Sequence, residues 1–197
     1  MCHFNVNTQL PTEIIQHFIH PTDVHNAGTY SLSDRRNSNI SWLSASNWIV
    51  PWIQTYITTI NQTYFQYDLT GIDAGNAQYT QYDEGQFYQW HIDAELQLMN
   101  DLIEPFFPGQ GMNINTTVQL LANQNQYIRK LSFTLQLNDD YEGGELQLLY
   151  NHHDLVTTPK KCGMLTVFDS RIPHRVRKVK SGQRKSLVGW MVGPRWK

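Results

Sequence analysis

The residues of this 197-residue chain with the plainest chemistry are His91 and Asp93, set two apart in the stretch QYDEGQFYQWHIDAE, residues 81–95. On a β-strand, side chains i and i+2 leave the same face, so an imidazole and a carboxylate stand side by side there. A third metal ligand has to come from another strand. His174 in DSRIPHRVRKV, opening a late strand after a proline-containing turn, is the natural candidate. Two histidines and one carboxylate on one side of an ion leave its opposite positions open, the arrangement used by non-haem Fe(II) oxygenases. Zinc accepts the same ligand types, so the triad alone does not choose the metal.

The elements that must carry these residues are read from periodicity. PTEIIQHFIH (11–20) has Thr12 as an N-cap after Pro11, with Ile14, Ile15, Phe18 and Ile19 at helical spacing. From Ser41 to about Gln62, Trp48, Trp52 and Tyr56 again repeat helically, and Pro51 predicts a kink, so the segment reads as one broken helix. Beyond LTGIDAGN the period changes to two. AQYTQYDEGQFYQWHID alternates polar and aromatic residues, and RKLSFTLQLND places Leu131, Phe133, Leu135 and Leu137 on one face. DDYEGGELQLL, GMLTVFD, HRVRKV and RKSLVGWMV follow as further strands. Helices first and many short strands after predict an α+β protein built on an antiparallel barrel or jelly roll, in one domain, with N-terminal helical support over residues 1–75 and the strand core over residues 76–197.

Residues 94–127 interrupt the strand pattern with a long Pro/Gly-bearing and polar excursion, which reads equally as a lid and as a structural insertion. The composition is that of an ordinary globular protein, 40% apolar and 16% charged with net charge −2. That balance points to neither nucleic acid nor an anionic membrane as partner. Cys2 and Cys162 have no CxxC spacing, and the start of the chain lacks a basic segment followed by an apolar run. Reduced thiols and a cytoplasmic location are the expectation.

Three spaced motifs, in order, carry a family resemblance from about Tyr79 to Trp190. They are YDEGQFYQWHID (Y-x-x-G-x-x-Y-x-x-H-x-D), RKLSFTLQLNDDYEGGEL, and PKKCGMLTVFDSRIPHRVRKVKSGQRKSLVGW; DRRNSNISWL precedes them. The chain resembles Fe(II)/2-oxoglutarate-dependent oxygenases of the prolyl 4-hydroxylase type, most of all the PKHD-type hydroxylases. The resemblance implies a double-stranded β-helix (jelly-roll) core with N-terminal helices packed on the sheet, and His91, Asp93 and His174 as the iron ligands. It implies that Arg184, on a strand face shared with Ser186, Val188 and Trp190, holds the far carboxylate of 2-oxoglutarate. A guanidinium suits that task because its planar fork pairs with a carboxylate through two charge-assisted hydrogen bonds. Tyr82 is implied as a second partner of that carboxylate, Trp190 as a wall of the pocket, and Arg129 as a residue of the substrate side. For Tyr82 and Trp190, core packing is the competing reading.

Fe(II), 2-oxoglutarate and O₂ are the implied cofactors, with ascorbate as a candidate addition. The implied activity is hydroxylation of a C–H bond with release of succinate and CO₂, a prolyl residue of a protein or peptide being the leading substrate. A free amino acid or other small molecule is the runner-up, and a non-catalytic jelly-roll binding module is the reading from another class. Leu146 after GGE, and Arg184 where the collagen-modifying enzymes carry Lys, favour the PKHD-like branch. Gly143 and Gly144 are read as a tight turn, NHHD (151–154) as a loop, and Arg175, Arg177, Lys178 and Lys180 as solvated charge. His3, His17, His20 and His25 are read as ordinary surface or helix residues.

Overall fold

A computed structural model describes residues 3–18, 25–32, 35–43, 45–94, 127–151 and 153–196. Among the described residues the strands are β1 (His3–Asn7), β2 (His25–Leu32), β3 (Arg36–Leu43), β4 (Gly71–Ile72), β5 (Ala77–Tyr82), β6 (Phe87–His91), β7 (Tyr127–Gln136), β8 (Glu142–Gly143), β9 (Leu146–Tyr150), β10 (Asp154–Thr157), β11 (Met164–Asp169), β12 (His174–Val176), β13 (Val179–Ser181) and β14 (Arg184–Pro194). The α-helices among the described residues are α1 (Thr12–Phe18) and α2 (Ile49–Ile60), the latter continued by a π-helical turn over Asn61–Phe65. Among the described residues one antiparallel sheet runs β1-β11-β7-β14-β5-β3-β6-β12-β9-β10, with β2 added on β3 and β4 on β14, while β13 and β8 form a separate pair. Strand β3 turns the sheet back on itself, because residues 39–43 pair with β5 and residues 36–37 with β6. The result is the curled jelly roll that the sequence resemblance implies.

The alternation in β7 decides what each face does. Leu131, Phe133, Leu135 and Leu137 join Leu165, Val167, Leu187 and Met191 in one apolar cluster with Ile49, Val50, Ile53, Ile57 and Ile60 of α2. Burying a side chain of that size contributes about 1.5–3 kcal/mol. The opposite face of the same strand carries Ser132, Thr134 and Gln136, opposite Trp190, Val188 and Ser186 of β14, all turned into the interior of the roll. A second, smaller cluster of Tyr82, Leu146, Leu148, Phe168, Val176 and Val179 bridges the two halves there.

The N-terminal third departs from expectation. Ser41–Leu43 end strand β3, and the helix starts only at Ile49. Pro51 lies in its first turn, where a missing N–H leaves no bond unmade, so it starts the helix without kinking it. The isoleucines form the buried seam of α2, whereas Trp48 is 47% exposed. Residues 1–75 supply strands β1, β2, β3 and β4 as well as helices, so they build the sheet itself. In α1, Thr12 is the first helical residue, and the Pro11 carbonyl accepts from Ile15 N–H. A buried Asn61 holds the exit from α2, its side chain bonding both the N–H and the C=O of Tyr67.

The excursion expected over 94–127 lies outside the described residues except at Ala94 and Tyr127. Gly143 and Gly144 have φ of +72° and +63°, and a Cβ on Gly143 would run into the backbone of Lys178 and Lys180. Asn151 (φ +44°) turns the chain from β9 into β10, which agrees with the loop reading of NHHD, and His152 is outside the described residues. His3 is half-buried on β1 and hydrogen-bonded to Tyr150, so it is a strand residue with a partner. Two of the expected solvated cations also have partners: Arg175 bonds Gln147, and Arg177 faces Glu145 at 3.8 Å.

Candidate metal centre and carboxylate pocket

The chain passes from β5 through a turn at Gly85 into β6, with β3 between the two strands in the sheet, and so delivers His91 at the end of β6 and Asp93 just beyond it. Gly85 (φ +83°) makes the turn, which β13 clamps through Gly85 N–H to Val179 O and Val179 N–H to Gln86 O. Asp83 gathers the side chains of Asn39, Gln81 and Gln183 around the same turn. At the far end of β6, His91 pairs directly with His174 of β12. Asp93 follows after the strand ends, its N–H donated to Ser170 O.

His91, Asp93 and His174 each offer a ligand atom, and these atoms lie within 4.8 Å of one another. His91 Nε2 is 3.8 Å from Asp93 Oδ1, and His174 Nε2 is 3.3 Å from Asp93 Oδ2. Both rings have their other nitrogen on a carbonyl two residues back, His91 Nδ1 on Gln89 O at 2.8 Å and His174 Nδ1 on Ile172 O at 2.9 Å. A carbonyl only accepts, so Nδ1 carries a hydrogen, which leaves Nε2 as the nitrogen of each ring available to a metal. Burial and the neighbouring His174 pull His91 down to about 3, so that ring is neutral at physiological pH. Burial pushes Asp93 up, but His174 and His91 outweigh it and hold the carboxyl well below the usual carboxylate range. Neutral imidazoles and an ionised carboxylate are the donor set a divalent cation requires.

Arg184 opens β14 opposite Tyr82 of β5. It is 1% exposed, with Nη1 donated to Ser186 Oγ at 3.0 Å and Nε without a hydrogen-bond partner among the described residues. Among the described residues no carboxylate forms an ion pair with it. A buried guanidinium without an anion is costly, by several kcal/mol after relaxation, and its planar fork is a chemical match for a carboxylate. Tyr82 is buried in the smaller apolar cluster, with its ring 5.5 Å from the guanidinium carbon.

Trp190 and Arg129 meet elsewhere on the same side of the sheet. The Arg129 guanidinium lies 3.7 Å over the Trp190 ring, and its Nε is donated to Asp73 Oδ2 at 2.8 Å. The buried indole N–H of Trp190 has no hydrogen-bond partner among the described residues.

Sequence reasoning missed several neighbours of the triad. Tyr88 stacks on His91 with ring centroids 3.6 Å apart, and burial pushes its phenol up to about 12 while Arg36, over its ring at 4.7 Å, opposes. Its place as the second tyrosine of the Y-x-x-G-x-x-Y pattern was the available signal. Ser132, whose Oγ donates to Asp93 Oδ2 at 2.8 Å, was marked by its place on the polar face of β7. Nothing in the sequence pointed to Asp73.

Comparison with known proteins accords with this geometry. The chain is 38% identical over 88 residues to a PKHD-type hydroxylase of Psychrobacter sp. (strain PRwf-1), covering 42% of this chain and 33% of that protein. It is 34% identical over 86 residues to one from Crocosphaera subtropica, covering 43% and 38%. The matched stretch thus spans about a third of the length of these curated relatives. In fold, the chain is similar to a Pseudomonas putida prolyl-4-hydroxylase (TM-score 0.65, 18% identity, 99% of this chain and 93% of that one). It is likewise similar to the viral collagen prolyl hydroxylase of Paramecium Bursaria Chlorella virus-1 in its 2OG complex (TM-score 0.68, 15% identity, 98% and 97%). A profile of the 2OG-Fe(II) oxygenase superfamily matches residues 77–192, more than half of the chain, with the triad, Arg184, Tyr82, Tyr88 and Ser132 inside the match; the chain belongs to that superfamily.

Proposed function

We propose that this protein is an Fe(II)- and 2-oxoglutarate-dependent dioxygenase that hydroxylates a prolyl residue in a protein or peptide. The observation that carries the reading is the pairing of a buried His-Asp-His triad with a buried arginine that has no carboxylate partner among the described residues. His91, Asp93 and His174 hold the iron through Nε2, one carboxylate oxygen and Nε2. Arg184 takes the far carboxylate of 2-oxoglutarate, with Tyr82 beside it. When bound, the iron and 2-oxoglutarate supply the oxidation of a C–H bond, with succinate and CO₂ released.

The remaining residues orient and enclose. Tyr88 covers one face of His91, and Phe168 packs edge-on to His174 at 4.8 Å, so neither ring can swing away from its neighbours. Arg129, held over Trp190 by Asp73, is the residue assigned to the substrate side in this reading. The prolyl preference is supported by the prolyl-4-hydroxylase fold and by a neighbour crystallised with a peptide, a Trichoplax adhaerens prolyl hydroxylase in complex with a hypoxia inducible factor fragment (TM-score 0.66, 20% identity, 96% of this chain and 82% of that one). One oxygenase domain working in the cytoplasm completes the proposal. The unpaired thiol of Cys162 agrees with a reducing compartment, and no helix among the described residues is long and apolar enough to cross a membrane.

The experiment is succinate release with Fe(II), 2-oxoglutarate and O₂, in the presence of proline-containing peptides and, separately, free amino acids. Peptide-stimulated succinate with hydroxylated proline in the product is the expected result. Stimulation by free amino acids alone would move the substrate to small molecules. Iron-loaded protein that releases no succinate with any of them would point to a binding module.

A further inference from the structure

Asp93 is the triad member that lies outside a strand, just past the end of β6, and two serines hold it. Ser132, on the interior face of β7, has its Oγ 2.8 Å from Asp93 Oδ2, and Ser170 Oγ is 2.9 Å from Ser132 Oγ. An ionised carboxylate only accepts and a hydroxyl has one hydrogen, so Ser132 donates to Asp93 and Ser170 donates to Ser132. The hydroxyls therefore form a directed chain ending on the carboxylate, each bond polarising the next. Ser132 and Ser170 are 1% and 0% exposed, so bulk water does not compete for these bonds. Ser170 also holds Asp93 from the backbone, its carbonyl accepting the N–H groups of both Asp93 and Ala94 at 3.0 Å.

We infer that the Ser170–Ser132 hydroxyl pair is a positioning device for Asp93, fixing the rotation of its carboxylate so that it ligates the metal through one oxygen. This rests on the reading of the triad as a metal site. With Oδ2 engaged by Ser132, chelation by both oxygens is opposed and more of the ion's positions stay open. Without the serine, the carboxylate is free to turn between His91 and His174, both of which already lie within 4 Å of it.

The test is Co(II) titration of the purified full chain, with visible spectra, on wild type and on Ser132→Ala, Ser132→Thr and Ser170→Ala. Thermal melting of each metal-free protein identifies variants that remain folded. Removing an outer partner of a metal ligand typically weakens metal affinity by about 10–100-fold, and that loss is expected for Ser132→Ala. The loss should come with an altered Co(II) spectrum as the carboxylate changes its mode of ligation. Ser132→Thr keeps the hydroxyl and should restore both affinity and spectrum, with Ser170→Ala falling between. Folded Ser132→Ala that binds Co(II) as tightly as wild type, with the same spectrum, would overturn the inference alone. Wild-type protein that fails to bind Co(II) would overturn the metal reading and this inference with it.

Discussion

His91 and His174 face one another directly across the antiparallel β6–β12 pair, with ring centroids 4.0 Å apart and Asp93 within 4 Å of both. Residues 83 positions apart in sequence are thereby fixed by backbone hydrogen bonding, so removing either imidazole should leave the strands in place. His91→Ala and His174→Ala are expected to fold, by circular dichroism, and to lose saturable binding of Fe(II) or Co(II) in titration. Retention of wild-type affinity by either variant would remove that residue from the ligand set.

Arg184→Ala should raise the concentration of 2-oxoglutarate needed for turnover, measured as an apparent KM for succinate release. Truncating one partner of a buried, hydrogen-bonded charge pair costs roughly 2–5 kcal/mol. Metal affinity measured without 2-oxoglutarate should be unchanged, because Arg184 touches none of the triad. Arg184→Lys keeps the charge and loses the two-pronged geometry, so it should fall between the two.

For substrate binding, Arg129→Ala should raise the KM for a hydroxylatable peptide by about tenfold, the effect of a lost hydrogen bond to a charged group, while the KM for 2-oxoglutarate stays fixed. Asp73→Asn weakens the hold on Arg129 and should act in the same direction with smaller size. Equal effects of either substitution on both constants would place the pair in the support of the whole pocket.

How much of this was legible follows from which periodicities survive folding. The 2.0 period of RKLSFTLQL exposed the strand and its apolar face, and the opposite face, with Ser132, Thr134 and Gln136, turned out to line the interior. The i, i+2 spacing of His91 and Asp93 and the late His174 were enough to predict a triad that the β6–β12 register then assembles. The Ser41–Gln62 segment misled because Trp42, Trp48, Trp52 and Tyr56 are as compatible with a helix as with a strand followed by a helix. Pairing of β3 with β5 settled that ambiguity, and tertiary pairing is invisible to local spacing. Asp73 was hidden for the same reason, since its partner Arg129 is 56 positions away.

The corner after β11 supplies a prediction in pH. Burial pushes Asp169 up, but hydrogen bonds from Arg171 and Tyr67 outweigh it and hold the carboxyl below its ordinary value. Tyr67 Oη is 2.6 Å from Asp169 Oδ2, and Arg171 Nη2 is equally close. An unfolded aspartate protonates near a pKa of about 3.9. As pH falls, the unfolded chain therefore takes up this proton before the folded one. The stability Asp169 contributes is present in full above about pH 5 and is lost as pH drops through the lower folded value. Asp169→Asn should cost about 1–2 kcal/mol at pH 7 in urea unfolding, and the difference from wild type should shrink between about pH 5 and pH 2. A constant difference across that range would contradict the assignment.

The central claim is that one interior holds both a divalent iron and the two ends of 2-oxoglutarate. Its most direct test is anaerobic addition of Fe(II) and then 2-oxoglutarate to the purified protein, followed by visible absorption. The account predicts a metal-to-ligand charge-transfer band that saturates at one equivalent of each, disappears in His174→Ala, and needs more 2-oxoglutarate in Arg184→Ala. Folded, iron-loaded protein that develops no band at saturating 2-oxoglutarate would contradict it.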